Sequence, residues 1–176
     1  MSPSEVVVMA GIIPGWILCG VADWWCHRRT AIERTSGLPE NAFHWLLLAE
    51  GGVALLAVAL LEIDAAVLLV VFAAFLAHEV TTYVELRYAV PRREVRPLEQ
   101  MIHSFLEILP LAMLGVVAVL AWDEVLAMFR GTADFALRPK AHPWPLPYLA
   151  GAAVAVLLLN VLPMAEEGVR CWRARA

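Results

Sequence analysis

Five long apolar stretches constrain the fold of this chain more than any other feature. Each approaches the roughly 20 residues that an α-helix needs to cross a bilayer, and 61% of the 176 residues are hydrophobic. Backbone groups inside a bilayer must be satisfied within their own segment, which favours helices. The sequence therefore predicts an all-α integral membrane protein, a single domain over 1–176 with spans at about 5–32, 42–61, 65–89, 97–122 and 148–168.

Arginine placement predicts how these spans are oriented, because cytoplasmic loops carry an excess of basic residues. The turns after the first and third spans and the C-terminal tail hold ten arginines, whereas the other side holds Arg130, Arg138 and Lys140. We therefore expect a protein of a bacterial-type inner membrane, with its N-terminus outside and its C-terminus in the cytoplasm.

The first apolar run lacks a basic leading region, so no cleavable signal peptide is expected. The net charge of −4 gives no indication of a nucleic-acid partner.

Each of the first four spans carries a histidine and a carboxylate inside or at the rim of the apolar stretch. Ionisable groups are costly in a membrane and are usually paired and functional. Imidazole and carboxylate together bind transition metals, and four-helix bundles hold such ions between facing helices. Four spans are therefore predicted to form a His/carboxylate-lined bundle with two metal ions. The predicted metal ligands are Asp23, His27, His44, Glu50, His78, Glu85, His103 and Glu107.

The helical rise of about 1.5 Å per residue sorts these groups into two layers at the cytoplasmic end of the bundle. The shallow layer is predicted to contain His27, His44, Glu85 and His103, and the deep layer Asp23, Glu50, His78 and Glu107. Spacings of four and seven keep two groups on one helix face. The spacing of six between His44 and Glu50 does not, which makes this pair the weakest.

The ligand types favour a membrane oxidoreductase with a di-iron centre that acts on a lipid or other apolar substrate. The four histidines are expected to be terminal ligands, with Glu50 and Glu107 as the bridging carboxylates. Glu99 and Tyr83 are the predicted catalytic residues, the first as a proton carrier or further ligand. Tyr83 and Thr82 are expected to donate hydrogen bonds to a bound oxygen species. Anionic headgroups are expected at Arg92, Arg93 and Arg96.

Three other functions remain open from the sequence. A zinc hydrolase would use the same residues, with a free glutamate as base. A proton or ion path would use the same polar stripe, and a haem protein would use histidines as axial ligands. The fifth span contains no histidine, so it is expected to support the bundle or to form a homo-oligomer contact.

The arrangement over residues 23 to 107 is similar in kind to that of membrane di-iron proteins such as fatty-acid hydroxylases and desaturases. Those families use eight or more histidines in closely spaced boxes, whereas this chain has five histidines and no such box. The resemblance covers only the idea of a His/carboxylate bundle and implies no residue roles.

Overall fold

The computed structural model describes residues 3–175, and regular structure within that range is helical apart from an isolated bridge between Leu61 and Pro139. Five of its helices are long and apolar enough to cross a membrane. This confirms the expected helical fold and the number of such helices. The five are Glu5–Thr30, Leu38–Leu60, Ala65–Ala89, Pro97–Leu120 and Leu146–Arg173.

The first and last of these long helices each contain one π-helical turn. The segments are α1 (Pro3–Val7), a π turn (Val8–Ile12), α2 (Ile13–Thr30), α3 (Leu38–Leu60), α4 (Ala65–Ala89), α5 (Pro97–Leu120), α6 (Trp122–Arg130), α7 (Leu146–Val156), a π turn (Leu157–Val161) and α8 (Leu162–Arg173). Such turns inside α-helices often occur at functional sites. The second π turn contains Asn160, whose side chain donates from Nδ2 to the Ile17 carbonyl at 3.2 Å.

Two helix ends differ from the prediction because the local backbone chemistry was misjudged. The first span was expected to reach residue 32, but α2 ends at Thr30 because Ala31 takes a left-handed conformation with φ of 51°. The second was expected to begin at residue 42, but α3 begins at Leu38. Pro39 lies in its first turn, where proline is favourable because its missing N–H has no helical partner there.

The last helix is longer than the sequence analysis proposed. It continues to Arg173 rather than ending near residue 168, because Gly168 lies within α8 and does not cap it. Gly168 also permits a close approach: a Cβ at this position would lie 2.9 Å from Asn41 Oδ1 of α3. The extra turn and the missing Cβ bring α8 against the start of α3.

The bundle divides into an apolar end and an arginine-rich end, the latter formed by the ends of α2, α4 and α8 with the starts of α3 and α5. Helix α3 packs along α4, and α2 packs along α5. The apolar core fills the opposite end, where Val8, Val58, Val67 and Val117 are almost completely buried. The buried titratable side chains described next therefore gather at the arginine-rich end.

Candidate metal centre

Three histidines from three helices meet at the arginine-rich end of the bundle. The rings of His27 in α2 and His44 in α3 are stacked, with centroids 4.4 Å apart and planes 8° from parallel. The ring of His103 in α5 lies edge-on to His27, with centroids 6.4 Å apart. All three residues are buried, with exposures of 1%, 9% and 6% respectively. Buried imidazoles this close need partners of opposite charge or a bound cation.

One group of ligand atoms lies around His27 Nε2. Asp23 Oδ1 is 2.9 Å from His103 Nε2 and 3.5 Å from His27 Nε2. Glu99 Oε1 is 3.4 Å from His27 Nε2. Four ligand atoms, one from each of these residues, lie within 4.8 Å of one another. Ligands about 2.1 Å from a tetrahedral ion would be roughly 3.4 Å apart, so the group has the spacing that one ion requires.

A second group adjoins the first and shares His27 with it. His44 Nε2 faces Glu85 Oε1 at 3.5 Å, and ligand atoms of His27, Glu40 and His44 lie within 4.8 Å of one another. Within residues 3–175, the Nε2 atoms of His27 and His44 and Glu85 Oε1 are buried without a hydrogen-bond partner. Buried polar atoms without partners are rare in native structures. Their convergence, next to two groups of ligand atoms, fits a site that could hold a metal ion.

Glu167 of α8 holds both stacked histidines from the side opposite their ligand atoms. Its Oε2 lies 3.2 Å from His27 Nδ1, and its Oε1 lies 3.0 Å from His44 Nδ1. The Asn41 side chain also donates to Oε1, at 2.9 Å. An ionised carboxylate has no hydrogen to donate, so both Nδ1 atoms carry a proton, and in the neutral form of each ring Nε2 keeps its lone pair. Metal-bound histidines use this kind of carboxylate partner.

Glu167 is absent from the predicted site, because the fifth span contains no histidine and is expected only to support the bundle or to form a homo-oligomer contact. The available signal was the adjacent pair Glu166 and Glu167 near the end of an apolar helix. In the structure the two side chains diverge. Glu166 points to the rim, where it accepts from Trp24 Nε1 at 3.1 Å and pairs with Arg28 at 3.0 Å, whereas Glu167 is 1% exposed.

Arg93 connects two carboxylates beneath the cluster. Its Nε donates to Glu40 at 2.9 Å, and its Nη2 lies 2.5 Å from Glu99 Oε1. Burial alone would lower the pKa of Arg93, but hydrogen bonds to Glu40 and Glu99 and their charges raise it above its ordinary value. The Arg93 side chain is 2% exposed. The prediction that it binds a lipid headgroup is therefore wrong, whereas Arg92 and Arg96 are exposed.

Two of the predicted ligands, His78 and Glu50, lie outside the two ligand groups, although His78 lines the same cavity as the cluster. His78 Nδ1 lies 3.9 Å from Glu50 Oε2, and Thr81 donates to Glu50 Oε1 at 2.8 Å. Neither residue belongs to the two ligand groups found among the described residues. Asp23, placed in the deep layer by its position in the sequence, instead contacts His103 of the predicted shallow layer directly, because α2 packs against α5.

The two remaining predicted site residues, Glu107 and Tyr83, have different surroundings. Glu107 is half-buried and lines the main cavity, together with Thr82. Tyr83 is 62% exposed, with the Arg87 guanidinium 6.0 Å from its ring centre. One residue turns a helix by about 100°, so Thr82 and Tyr83 cannot both face the site. Tyr83 therefore lies outside the cavity wall that includes Thr82. Glu99, the other predicted catalytic residue, lies between His27 and Arg93.

The cluster forms one end of a cavity with about 1020 Å³ of empty space, its open mouth included. The titratable wall includes all three cluster histidines, Asp23, Glu85 and Glu167. The rest of the wall is mostly apolar and comes from α2, α3, α4, α5 and the last helix, with His78, Thr82, Glu107 and Asn160 as its polar members. An apolar cavity with a few convergent polar groups is the usual form of a ligand site.

Comparisons with known proteins assign no family. No family model matches the chain, and no curated protein and no solved structure matches it either. The function of the site is therefore inferred from its chemistry.

Proposed function

We propose that this protein is a membrane-embedded oxidoreductase that uses two transition-metal ions, with iron the preferred metal, to act on a lipid or other apolar substrate. The observation that carries the proposal is the pair of stacked histidines held at Nδ1 by Glu167. Their Nε2 atoms face the carboxylates of Asp23, Glu99 and Glu85 at 3.4–3.5 Å. Hydrogen bonding alone does not account for this arrangement, because those Nε2 atoms have no hydrogen-bond partner within residues 3–175.

The charge of the cluster supports two divalent ions. The carboxylates are Asp23, Glu40, Glu85, Glu99 and Glu167. Arg93 is the one guanidinium in contact with them among the described residues, so four negative charges remain. Protonating the three histidines would cancel three of these charges, whereas two divalent cations would cancel all four. Uncompensated buried charge is strongly destabilising.

The ligand chemistry favours iron over thiolate-binding metals. Neither ligand group contains a cysteine within residues 3–175, and mixed imidazole and carboxylate ligands suit iron. Two such ions, when bound, supply redox chemistry toward oxygen and substrate. The chain supplies Asp23, His27 and His103 to one ion and His44 and Glu85 to the other, while Arg93 and Glu167 hold the surrounding groups. The adjoining apolar cavity excludes water and admits an apolar substrate.

Metal analysis of the purified full-length protein tests the proposal. We expect about two equivalents of iron, and we expect His27→Ala and His44→Ala to lose most of it. His142→Ala is the matched control, because His142 is exposed in the outer loop. Less than about one equivalent of any transition metal, together with unchanged thermal stability in chelator, would exclude a metal centre.

One observation favours a zinc hydrolase as the second candidate. Glu107 lines the cavity but belongs to neither ligand group among the described residues, and a free carboxylate is the base that zinc hydrolases use. The same metal analysis separates the two functions. Zinc without iron, in a colourless protein, would favour hydrolysis.

A further inference from the structure

We propose that the main cavity binds a single hydrocarbon chain of a lipid, which enters sideways from the bilayer between α3 and α7, with Gly52 at the mouth. The proposal names the substrate class of the same site and therefore rests on the proposed function for the reaction at the inner end. Binding of the chain itself depends on the shape and lining of the cavity and does not require the metal.

The cavity is long and apolar beyond the metal centre. Its lining extends along α3 from His44 to Leu55 and along the last helix from Glu167 to Val156. Each distance is eleven residues, or about 16 Å at the helical rise. Most of the side chains between these limits are apolar, among them Ile17, Leu48, Leu106 and Met164. The exceptions are the polar side chains of His78, Thr82, Glu107 and Asn160. An elongated, mostly apolar cavity whose charged groups are concentrated at one end fits an extended chain whose functionalised end lies at the cluster.

The helix packing leaves an opening on one side of this cavity. Helix α3 packs on α4 and, at the arginine-rich end, on α8, whereas α7 packs on α2. Leu48, Gly52 and Leu55 of α3 and Val156 of α7 line the cavity and are half-buried. A Cβ built on Gly52 would meet no atom within 4 Å. Gly52 therefore leaves open space in the cavity wall, and we place the mouth at this gap, between α3 and α7.

The position of the opening identifies the source of the ligand. Gly52 and Val156 lie well inside helices that are long and apolar enough to cross a membrane, so the opening faces the hydrocarbon region and not water. Asn160 uses its side-chain amide on the Ile17 carbonyl at 3.2 Å, so that amide supports the wall. A lipid chain already dissolved in the bilayer matches both the lining and the route.

Photo-crosslinking in phosphatidylcholine nanodiscs tests the proposal. The probe is a long-chain fatty acid with a diazirine in mid-chain, and the labelled residues are located by mass spectrometry. We expect saturable labelling of Leu48, Leu55 or Val156, suppressed by excess unlabelled fatty acid. Labelling of lipid-facing Leu56 and Leu158, which are 59% and 53% exposed, should not saturate.

Two variants and a matched control examine the route. Gly52→Trp should abolish the saturable labelling while metal content stays unchanged, because its side chain fills the mouth without reaching the cluster. Val156→Trp should do the same from the α7 side if Gly52→Trp does not fold. Gly115→Trp is the control, because Gly115 also has open space around it but does not line the cavity.

The outcomes separate this proposal from the metal centre. Saturable labelling that persists in a folded Gly52→Trp or Val156→Trp protein would overturn the lateral route. An absence of saturable labelling in the wild-type protein would overturn chain binding, even in a protein that holds its metals. Loss of the metal centre with retained labelling would instead overturn the proposed function and leave the chain site intact.

Discussion

At the residue scale, Glu167 shows what a sequence-based search for ligands within one helix overlooks. Pairing each histidine with a carboxylate on its own helix correctly predicts that His27, His44 and His103 lie at the same end of the bundle. Which of two adjacent glutamates faces inward depends on how the last helix is rotated against its neighbours. That rotation is set by contacts such as Asn41 with Glu167, between residues far apart in the chain.

Glu167→Gln should weaken metal binding. The amide has a single oxygen, so it can accept from only one of the two Nδ1 groups, and its NH₂ would oppose the other. One histidine must then change tautomer or move, which for partners of metal-bound histidines typically costs about 10–100-fold in affinity. Competition with a metal chelator measures the effect. Glu166→Gln is the control, since Glu166 contacts Trp24 and Arg28 at the rim; equal effects in the two variants would contradict the assigned role.

At the element scale, the start of α3 explains why Glu40 was missed. The predicted second span begins at about residue 42, so Pro39 and Glu40 lie outside it and Glu40 has no predicted role. In the structure Pro39 is a favourable first-turn residue. Glu40 then lies one helical turn before His44 and is completely buried. A proline between two apolar segments fits either a turn or a helix start, so sequence reasoning alone did not distinguish them.

Two adjacent glycines of α3 should respond oppositely to alanine substitution. A Cβ at Gly51 would lie 1.6 Å from the Trp16 ring, whereas a Cβ at Gly52 meets no atom within 4 Å. Gly51→Ala must displace Trp16 or separate α2 from α3, so we expect a loss of about 1–3 kcal/mol. Gly52→Ala should be neutral or stabilising by up to about 1 kcal/mol.

Thermal unfolding in detergent measures this difference with a thiol-reactive dye, because Cys26 and Cys171 are buried and react when the bundle opens. Equal unfolding midpoints for the two variants would contradict the close contact between the Trp16 ring and Gly51.

At the scale of the whole molecule, span number and the end at which the site lies follow from hydropathy and position in the chain. The rotation of each helix about its own axis does not follow from them. Helical rise alone places Asp23 in a deeper layer than His103, but the two side chains are in contact, because the rise does not determine how α2 is positioned against α5. The six-residue spacing correctly indicated that His44 and Glu50 do not share one face, and the structure places Glu50 beside His78.

The orientation in the membrane remains a prediction, and it determines from which side the metals are loaded. Most of the arginines lie at the end that holds the site, so we expect that end to face the cytoplasm. A green fluorescent protein fused after Ala176 should therefore fluoresce, and alkaline phosphatase fused there should be inactive. The same reporters inserted after Gly131, in the loop that follows α6 at the opposite end, should give the reverse result. Active phosphatase at the C-terminus would invert the topology, placing the cluster at the outer face and requiring its metal to be acquired outside the cytoplasm.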